Sequence, residues 1–503
     1  MARSAHQPRI KLVEGQRDLV AVGATALLAL CLVFGGASQG NALQLTGLEL
    51  AALPVLFLAG HRLWQSGAYG HMRVALALAG SVVAVPLLQL VPLPYDLWSR
   101  LPGRQDVVTA TALLGTQPWL PISLTPEATW RAALALLPPL AIFIATLVSP
   151  PSARRGMAVI ILVATLLSAL IGALQLASGG ARALYPYEVT NVGSAVGLFS
   201  NRNHLATLLL VSLPLAGALV GAAFRTRTGD RRLQVAVTIL FVLIALVAIA
   251  ATRSRAGVLL GGPALVGALL VAWRSSGEGG RKGGLLALGL VSATAIAAVA
   301  AFGLSPILDR FDQDASTETR FQVWPTIAST AEAFLPIGSG VGSFESVYQS
   351  VEPLETLDGS FLNHAHNDYL EIWLEAGWLG VIGLAMFCLW WARRTYHVWL
   401  KADSGPGFER AASLMIGLVL LHSLGDYPLR TEALSSAFAF ACATLAYRRS
   451  EGLRERSRVR AQDGLARPAA RLIRFNASLN RSSLIRRSHE IRQAAHGHSK
   501  RVV

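Results

Sequence analysis

The chain has 503 residues, of which 53% are hydrophobic and only 15% are charged, and its net charge is +15. Soluble domains contain about 25% charged residues, so this composition excludes an ordinary soluble protein and indicates an integral membrane protein. Cys31, Cys388 and Cys442 all fall inside apolar runs. We therefore expect neither a disulfide framework nor a cysteine metal site.

Twelve membrane-spanning helices are predicted, because a helix needs about 20 apolar residues to cross the hydrocarbon core. The runs show no β-barrel alternation. In chain order the predicted spans are 19–38, 43–60, 72–92, 131–149, 156–178, 204–224, 233–251, 256–273, 284–304, 377–392, 411–425 and 433–447. The first run has no cleavage pattern after it, so we expect it to be retained as a span.

The distribution of positive charge predicts the orientation of these spans. With both termini inside, cytoplasmic segments hold 34 of the 44 Lys and Arg residues. This asymmetry is typical of inner-membrane proteins. It predicts that one large polar loop, 305–376, faces outward together with the turns that precede spans six and eight.

Three regions follow from this map. Residues 1–178 contain spans 1–5 and a Pro/Trp-rich loop, 93–130. We expect this loop to lie along the outward-facing surface of the membrane that the helices span. Residues 179–447 form a second transmembrane domain with the loop 305–376. Residues 448–503 carry 15 basic and four acidic residues. This tail is either a helix on the anionic inner leaflet or a disordered basic segment. No recognition motif indicates nucleic acid as a partner.

The loop 305–376 is the strongest candidate for chemistry. It holds twelve of the 29 acidic residues and only two arginines. Three outward arginines, Arg202, Arg255 and Arg320, lie on separate elements and could bind one diphosphate, since guanidinium binds phosphate oxygens bidentately. The alternative is that each arginine reaches water at the membrane interface or pairs with a loop carboxylate.

His366 is a candidate base or substrate-orienting group, because imidazole titrates near neutral pH. The alternative is that His364 and His366 are ordinary polar contacts at the start of a helix near Asn367. His364 would point to another side if the local backbone is extended. Glu371 and Glu375 are four residues apart and share a helix face, where they either pair with arginines or are solvated. The acids follow helical spacing, so no metal is expected. Gly338, Gly340 and Gly342 lack the lysine and context of a phosphate loop and predict a tight turn.

Several short motifs resemble the O-antigen ligase and O-antigen polymerase superfamily of bacterial envelope glycosyltransferases. The similarity extends from about 199 to 383 and leaves out spans 1–5 and the tail. The motifs are Phe199-x-Asn201-Arg202-Asn203-His204, Ser254-Arg255-Ala-Gly257, Arg320 with Trp324, Pro336-Ile-Gly-x-Gly-Val-Gly with Phe344, and His366-Asn367-x-x-Leu370 with Glu375, Gly377 and Gly380.

The resemblance implies an all-α polytopic membrane protein of about twelve helices, related to GT-C folds, with one large periplasmic loop. It implies transfer of a glycan from undecaprenyl diphosphate to an acceptor hydroxyl, with inversion, without a cofactor and without an essential metal. Arg202, Arg255 and Arg320 would hold the diphosphate, and His366 would act at the transfer centre. The residues expected to contact substrate are Asn201, His204, Arg253, His364, Asn367 and Glu375.

Three points stay open in the sequence. Arg253 competes with Arg255 for one motif position, and His364 could share or replace the role of His366. The acceptor is either lipid A core, for a ligase, or a growing polysaccharide, for a polymerase; a protein hydroxyl is a third alternative. A transporter or flippase is the rival function, but transporters place ionisable residues at mid-membrane and show repeats. The outward arginines and histidines favour the enzyme.

Overall fold

The structure is a computed structural model that describes residues 18–38, 41–66, 72–188, 193–224, 231–276, 289, 293, 319–354, 362–401 and 407–447, without the side chains at 231 and 319–321. The predicted span 284–304 and the basic tail 448–503 lie outside the described residues.

Helices dominate the described residues. They are α1 (Leu19–Phe34), α2 (Ala42–Ser66), α3 (Arg73–Gln89), α4 (Tyr95–Trp98), α5 (Gln105–Leu113), α6 (Pro126–Leu134), α7 (Leu137–Val148), α8 (Pro151–Ala177), α9 (Arg202–Ala223), α10 (Arg231–Ala251), α11 (Arg255–Ser275), α12 (Thr319–Ala333), α13 (Phe344–Val351), α14 (Asp368–Tyr396), α15 (Gly407–His422) and α16 (Glu432–Ala446). Two short strands, β1 (Pro92–Leu93) and β2 (Leu120–Pro121), pair antiparallel. A 3-10 turn covers Pro428–Arg430.

Seven helices in the described part of the chain are long and apolar enough to cross a membrane. They are Ala42–Ser66, Pro126–Val148, Pro151–Ala177, Arg202–Ala223, Arg232–Ala251, Arg255–Ser275 and Asp368–Lys401. Shorter apolar helices, such as α1, α3 and α16, accompany them. The chain is therefore a helical, multi-pass membrane protein. Each predicted span outside 284–304 overlaps a described helix, but the predicted number of twelve spans is not confirmed.

Helices α9 and α11 pack in parallel at the centre of the bundle. Gly257 lies against Ala206 near their first turns, and Gly217 lies against the backbone of Ala268 three turns later. A methyl group at Gly217 would collide with the Ala268 carbonyl oxygen. Small residues let two helix backbones approach this closely. Because the contacts follow the same order along both helices, α9 and α11 begin at the same end of the bundle.

The loop 93–130 packs on the polar loop 305–376. Trp98 is buried and donates from Nε1 to the Pro121 carbonyl. Arg104, also buried, donates to the Ile122 and Gly338 carbonyls at 2.6 and 3.2 Å. Burial lowers the pKa of Arg104 to about 10. The loop therefore braces the glycine-rich turn of the large polar loop.

The glycine-rich turn at 338–342 is confirmed. Gly338, Gly340 and Gly342 have φ of 86°, 116° and 86°, a region open to glycine but unfavourable for other residues. Ser339 and Gly340 donate backbone hydrogen bonds to the carbonyls of residues 374 and 375 in α14. The turn is thus wedged between α14 and the loop 93–130.

The polar loop has a hydrophobic core of its own. Helices α12 and α13 pack on the first turns of α14 through this core. Its buried members are Val323, Ile327, Ala331, Phe334, Phe344, Val347, Tyr348, Ala365 and Leu374. Helix α14 continues from the loop into the membrane span, and its backbone breaks at Gly377, where φ is 53° and ψ is −143°. The helix therefore begins within the polar loop, and its backbone break falls at residue 377, where the predicted span starts.

The opposite end of the bundle is held by arginines that bind helix C-terminal carbonyls. Arg154 donates to the Thr146 and Ser149 carbonyls, and Arg394 donates to the Leu445 carbonyl. Cations at helix C-termini are favourable because the partial charge there is negative. The histidines and acids of the polar loop lie at the other end, where α9, α11 and α14 begin.

Candidate functional site

Three helix starts and one connecting segment build the candidate site. The starts of α9, α11 and α14 are capped by Asn201, Ser254 and Asn367, whose side chains accept backbone N–H groups of the first turn. Such caps fix where each helix begins. The connecting segment, 423–431, joins α15 to α16 and is tied to α14, because Asp368 donates its N–H to the Ser423 carbonyl at 3.1 Å.

Tyr427 lies at the centre of the site and contacts three imidazole rings. The ring centroids of His364, His366 and His204 lie 4.4, 4.8 and 5.2 Å from the Tyr427 centroid. Tyr427 is buried. Burial and the neighbouring Asp426 carboxylate both raise the pKa of its hydroxyl. The ring is therefore a neutral platform on which three histidines from two segments of the chain meet.

His364 and His366 both face Tyr427. The expectation that His364 would point elsewhere is wrong, because residues two apart lie on one face even of an extended backbone. His366 has a φ of 48°, in the left-handed region. Non-glycine residues with positive φ are uncommon and often occur at functional sites.

His366 is paired with a carboxylate. Its Nδ1 lies 3.4 Å from Oδ1 of Asp426, whose side chain is 1% exposed. Burial alone would raise the pKa of Asp426, but the contact from His366 and the nearby His204 and His422 rings outweigh burial and hold that pKa below its usual range. Asp426 is therefore ionised near neutral pH and can orient the His366 ring through Nδ1, which leaves Nε2 for chemistry.

His364 is paired with a second carboxylate. Its Nδ1 lies 2.8 Å from Oε1 of Glu371, and the other oxygen of Glu371 accepts the Ala365 N–H at 3.0 Å. Arg430 contacts the same Glu371 oxygen at 3.2 Å. The carboxylate is thus held from three sides, and it fixes the orientation of the His364 ring.

Arg430 gathers three carboxylates from one face of α14. Its guanidinium lies 3.1 Å from Glu375, 3.2 Å from Glu371 and 3.8 Å from Asp368. Burial alone would lower the pKa of Arg430, but these three carboxylates raise it above its ordinary value. The two sequence alternatives for Glu371 and Glu375 are thereby resolved in favour of pairing with an arginine.

Glu375 connects this cluster to the glycine-rich turn. Its Oε1 accepts the Gly342 N–H at 2.9 Å and the Phe344 N–H at 3.2 Å. Gln89, at the end of α3, donates to the Glu375 carbonyl and accepts the Val341 N–H, both at 2.8 Å. Glu375 therefore does not contact the histidines; it couples α14 to the turn.

The predicted arginines take different positions. Arg202 and Arg255 are the first residues of α9 and α11, which begin side by side, and both side chains are half-buried. Arg253 has a φ of 53° and an exposed side chain. Arg320 lies in the first turn of α12, and its side chain is not among those that the structure describes. The starts of α9 and α11 also carry partial positive charge, which favours an anion.

His204 is fully buried, and neither of its ring nitrogens has a hydrogen-bond partner in the described part of the chain. It packs edge-on against Phe199 and Tyr427. Its neighbour His422 is held by Thr207, whose Oγ1 lies 2.8 Å from His422 Nδ1. Among the residues described, no three His, Cys, Asp or Glu side chains are arranged to hold a metal ion.

Sequence reasoning missed Asp426, Tyr427 and Arg430. All three lie in the short segment between the predicted spans 411–425 and 433–447. A signal was present, because an aspartate and an arginine in so short a connection between apolar spans are costly unless they have partners.

A comparison with family models matches residues 240–385 to the family described as O-antigen ligase. These residues belong to the O-antigen ligase superfamily. The resemblance predicted from the motifs is therefore confirmed over this segment. No curated protein matches the chain. The matched segment of the O-antigen ligase superfamily contains Arg255, Arg320, His364 and His366, whereas the segment 423–431 lies beyond it.

Proposed function

We propose that the protein is a membrane glycosyltransferase of the O-antigen ligase and polymerase type. It transfers a glycan from undecaprenyl diphosphate to an acceptor hydroxyl at the periplasmic face of the bacterial inner membrane. One observation carries the proposal: within the O-antigen ligase segment, His366 is paired with Asp426 and packs on Tyr427, together with His204 of the Arg202-headed helix α9.

The donor diphosphate binds where α9 and α11 begin. Arg202 and Arg255 head two parallel helices whose first turns are in contact through Gly257 and Ala206. Each start adds unsatisfied N–H groups and partial positive charge to one guanidinium. The resemblance adds Arg320, in the first turn of α12, as a third residue for the diphosphate. This arrangement stabilises the negative charge that grows on the diphosphate as it leaves.

His366 acts on the acceptor. Asp426 holds Nδ1, so Nε2 accepts the proton of the attacking hydroxyl. The hydroxyl oxygen then forms a bond to the anomeric carbon as the carbon–oxygen bond to the diphosphate breaks, with inversion. Asn201 and Asn367 fix the starts of α9 and α14 through their caps and so position the residues beside them.

Two acceptors are compatible with this chemistry, lipid A core and a growing polysaccharide. Residues 179–447 are the catalytic domain in this proposal. Residues 1–178 support it, since the loop 93–130 braces the glycine-rich turn through Arg104. The polyprenyl tail of the donor lies among membrane lipids between the spans.

The test is a transfer assay with the purified full chain in lipid nanodiscs. An undecaprenyl-diphosphate oligosaccharide is supplied alone or with lipid A core, and the products are separated by mass. Product only with lipid A core identifies a ligase, and longer carrier-linked chains identify a polymerase. His366→Gln should lower formation of either product at least about 10²-fold, whereas the exposed His61→Gln serves as the matched control. Absence of transfer to either acceptor would contradict the proposal and favour a transporter.

A further inference from the structure

A second histidine–carboxylate pair lies beside the one assigned to the acceptor. His364 and Glu371 are 2.8 Å apart, and the His364 ring contacts the same tyrosine as His366. The proposed function uses only His366. The role of His364 therefore needs its own explanation.

The surroundings of His364 orient it for chemistry through Nε2. Its Nδ1 is held by Glu371, and Glu371 is held by Arg430 and the Ala365 N–H. The His364 Nε2 is buried and has no hydrogen-bond partner among the described residues. A buried polar atom without a partner destabilises the fold. A histidine that served packing alone would not require an ionised carboxylate to orient it.

Each element packed against His364 contributes charged or titratable side chains to its surroundings. The titratable or charged side chains near it are Asp368 and Glu371 of α14, Asp426, Tyr427 and Arg430 of the segment 423–431, His204 of α9, and His366. Glu371 is the nearest of these and is the one in hydrogen-bond contact. Glu371 lies 2.8 Å from Nδ1 of His364, whereas Asp426 lies 3.4 Å from Nδ1 of His366, so His364 is the more tightly oriented ring of the two.

We propose that His364 is the proton donor to the departing diphosphate, and that Glu371 is its positioning residue. This inference rests on the proposed function. In the transfer step the acceptor hydroxyl gives its proton to Nε2 of His366 and forms the new bond to the anomeric carbon. The bond from that carbon to the diphosphate oxygen breaks, its electron pair stays on the oxygen, and the oxygen takes the proton from Nε2 of His364. Exchange with water then returns both histidines to their starting states.

The two histidines have opposite requirements, and this makes the inference testable. His366 must be neutral to accept a proton, and His364 must be protonated to donate one. The wild-type single-turnover rate should therefore fall on both sides of an optimum pH. His364→Gln should lower the rate about 10²-fold and remove the decline on the alkaline side. His366→Gln should remove the decline on the acidic side.

Glu371→Gln provides a second, independent measurement. Loss of the carboxylate destabilises the protonated imidazole, so the alkaline decline should move to lower pH. Thermal unfolding of each variant confirms that the protein compared is folded, and His61→Gln controls for loss of a histidine elsewhere. An active wild type whose His364→Gln variant keeps both declines, or whose Glu371→Gln variant keeps the alkaline decline in place, would overturn the role of His364 alone. An inactive wild type would overturn the proposed function as well.

Discussion

Replacing Arg430 by methionine should be among the most damaging changes to the fold. The substitution keeps an unbranched, flexible side chain but leaves three carboxylates of α14 without their cation. Glu371 and Glu375 are at most 2% exposed, so water cannot take its place at those carboxylates. Breaking a buried ion pair by removing one partner costs about 3–5 kcal/mol. Arg430 itself is 22% exposed, so we expect about 3 kcal/mol.

The assay compares Arg430→Met with Arg131→Met in detergent at neutral pH. Arg131 pairs with Glu127 at 3.5 Å, but both side chains are exposed. An exposed pair contributes only about 0–1 kcal/mol. Thermal unfolding, followed by tryptophan fluorescence, should show a much larger loss for Arg430→Met. Adding Glu371→Gln to that variant should recover part of the loss, because one uncompensated charge is removed. Equal losses at positions 430 and 131, or no recovery, would refute the reasoning.

Three further predictions follow from the site and the bundle. Asp426→Asn should lower the rate of transfer about 10²-fold, as expected when the group orienting a base is lost. The pKa of Asp426 is lowered in the folded protein, so its contribution to the free energy of unfolding should be full above about pH 4 and should disappear as the pH falls further. Unfolding measured at several pH values would show this loss. Gly217→Val should prevent α9 from packing on α11 and abolish folded protein, whereas Gly262→Val, where an added methyl meets nothing within 4 Å, should be tolerated in the same expression test. Arg255→Gln should weaken donor binding about 10- to 100-fold and Arg253→Gln by less than about threefold, measured by titration with undecaprenyl diphosphate, since charged hydrogen bonds contribute about 1.5–3 kcal/mol.

Hydropathy and length were sufficient to predict a mostly helical, multi-pass membrane protein, but not to establish the number of spans. The sequence also predicted the turn at 338–342, where glycine spacing reports a local backbone requirement. The helical spacing of Glu371 and Glu375 was also predicted correctly, but the partner of this polar face was not. In the structure that face is buried against Arg430.

The composition of the site was harder to predict, because it depends on contacts between distant segments. His364 and His366 were identified from their chemistry, but their common contact, Tyr427, lies in a distant segment that no local pattern reports. The partners Asp426 and Arg430 come from a segment some 60 residues later in the chain, and only the packing of α14 on the segment 423–431 brings them together.

The most direct measurement is the release of undecaprenyl diphosphate from a labelled lipid-linked oligosaccharide by the wild type, His366→Gln and His61→Gln. Each purified full-length protein is placed in nanodiscs with both acceptors present. The account predicts release coupled to glycan transfer by the wild type and His61→Gln, with a loss of at least about 10² in rate for a folded His366→Gln. Release by His366→Gln at the wild-type rate, or a folded wild type that releases nothing, would contradict it.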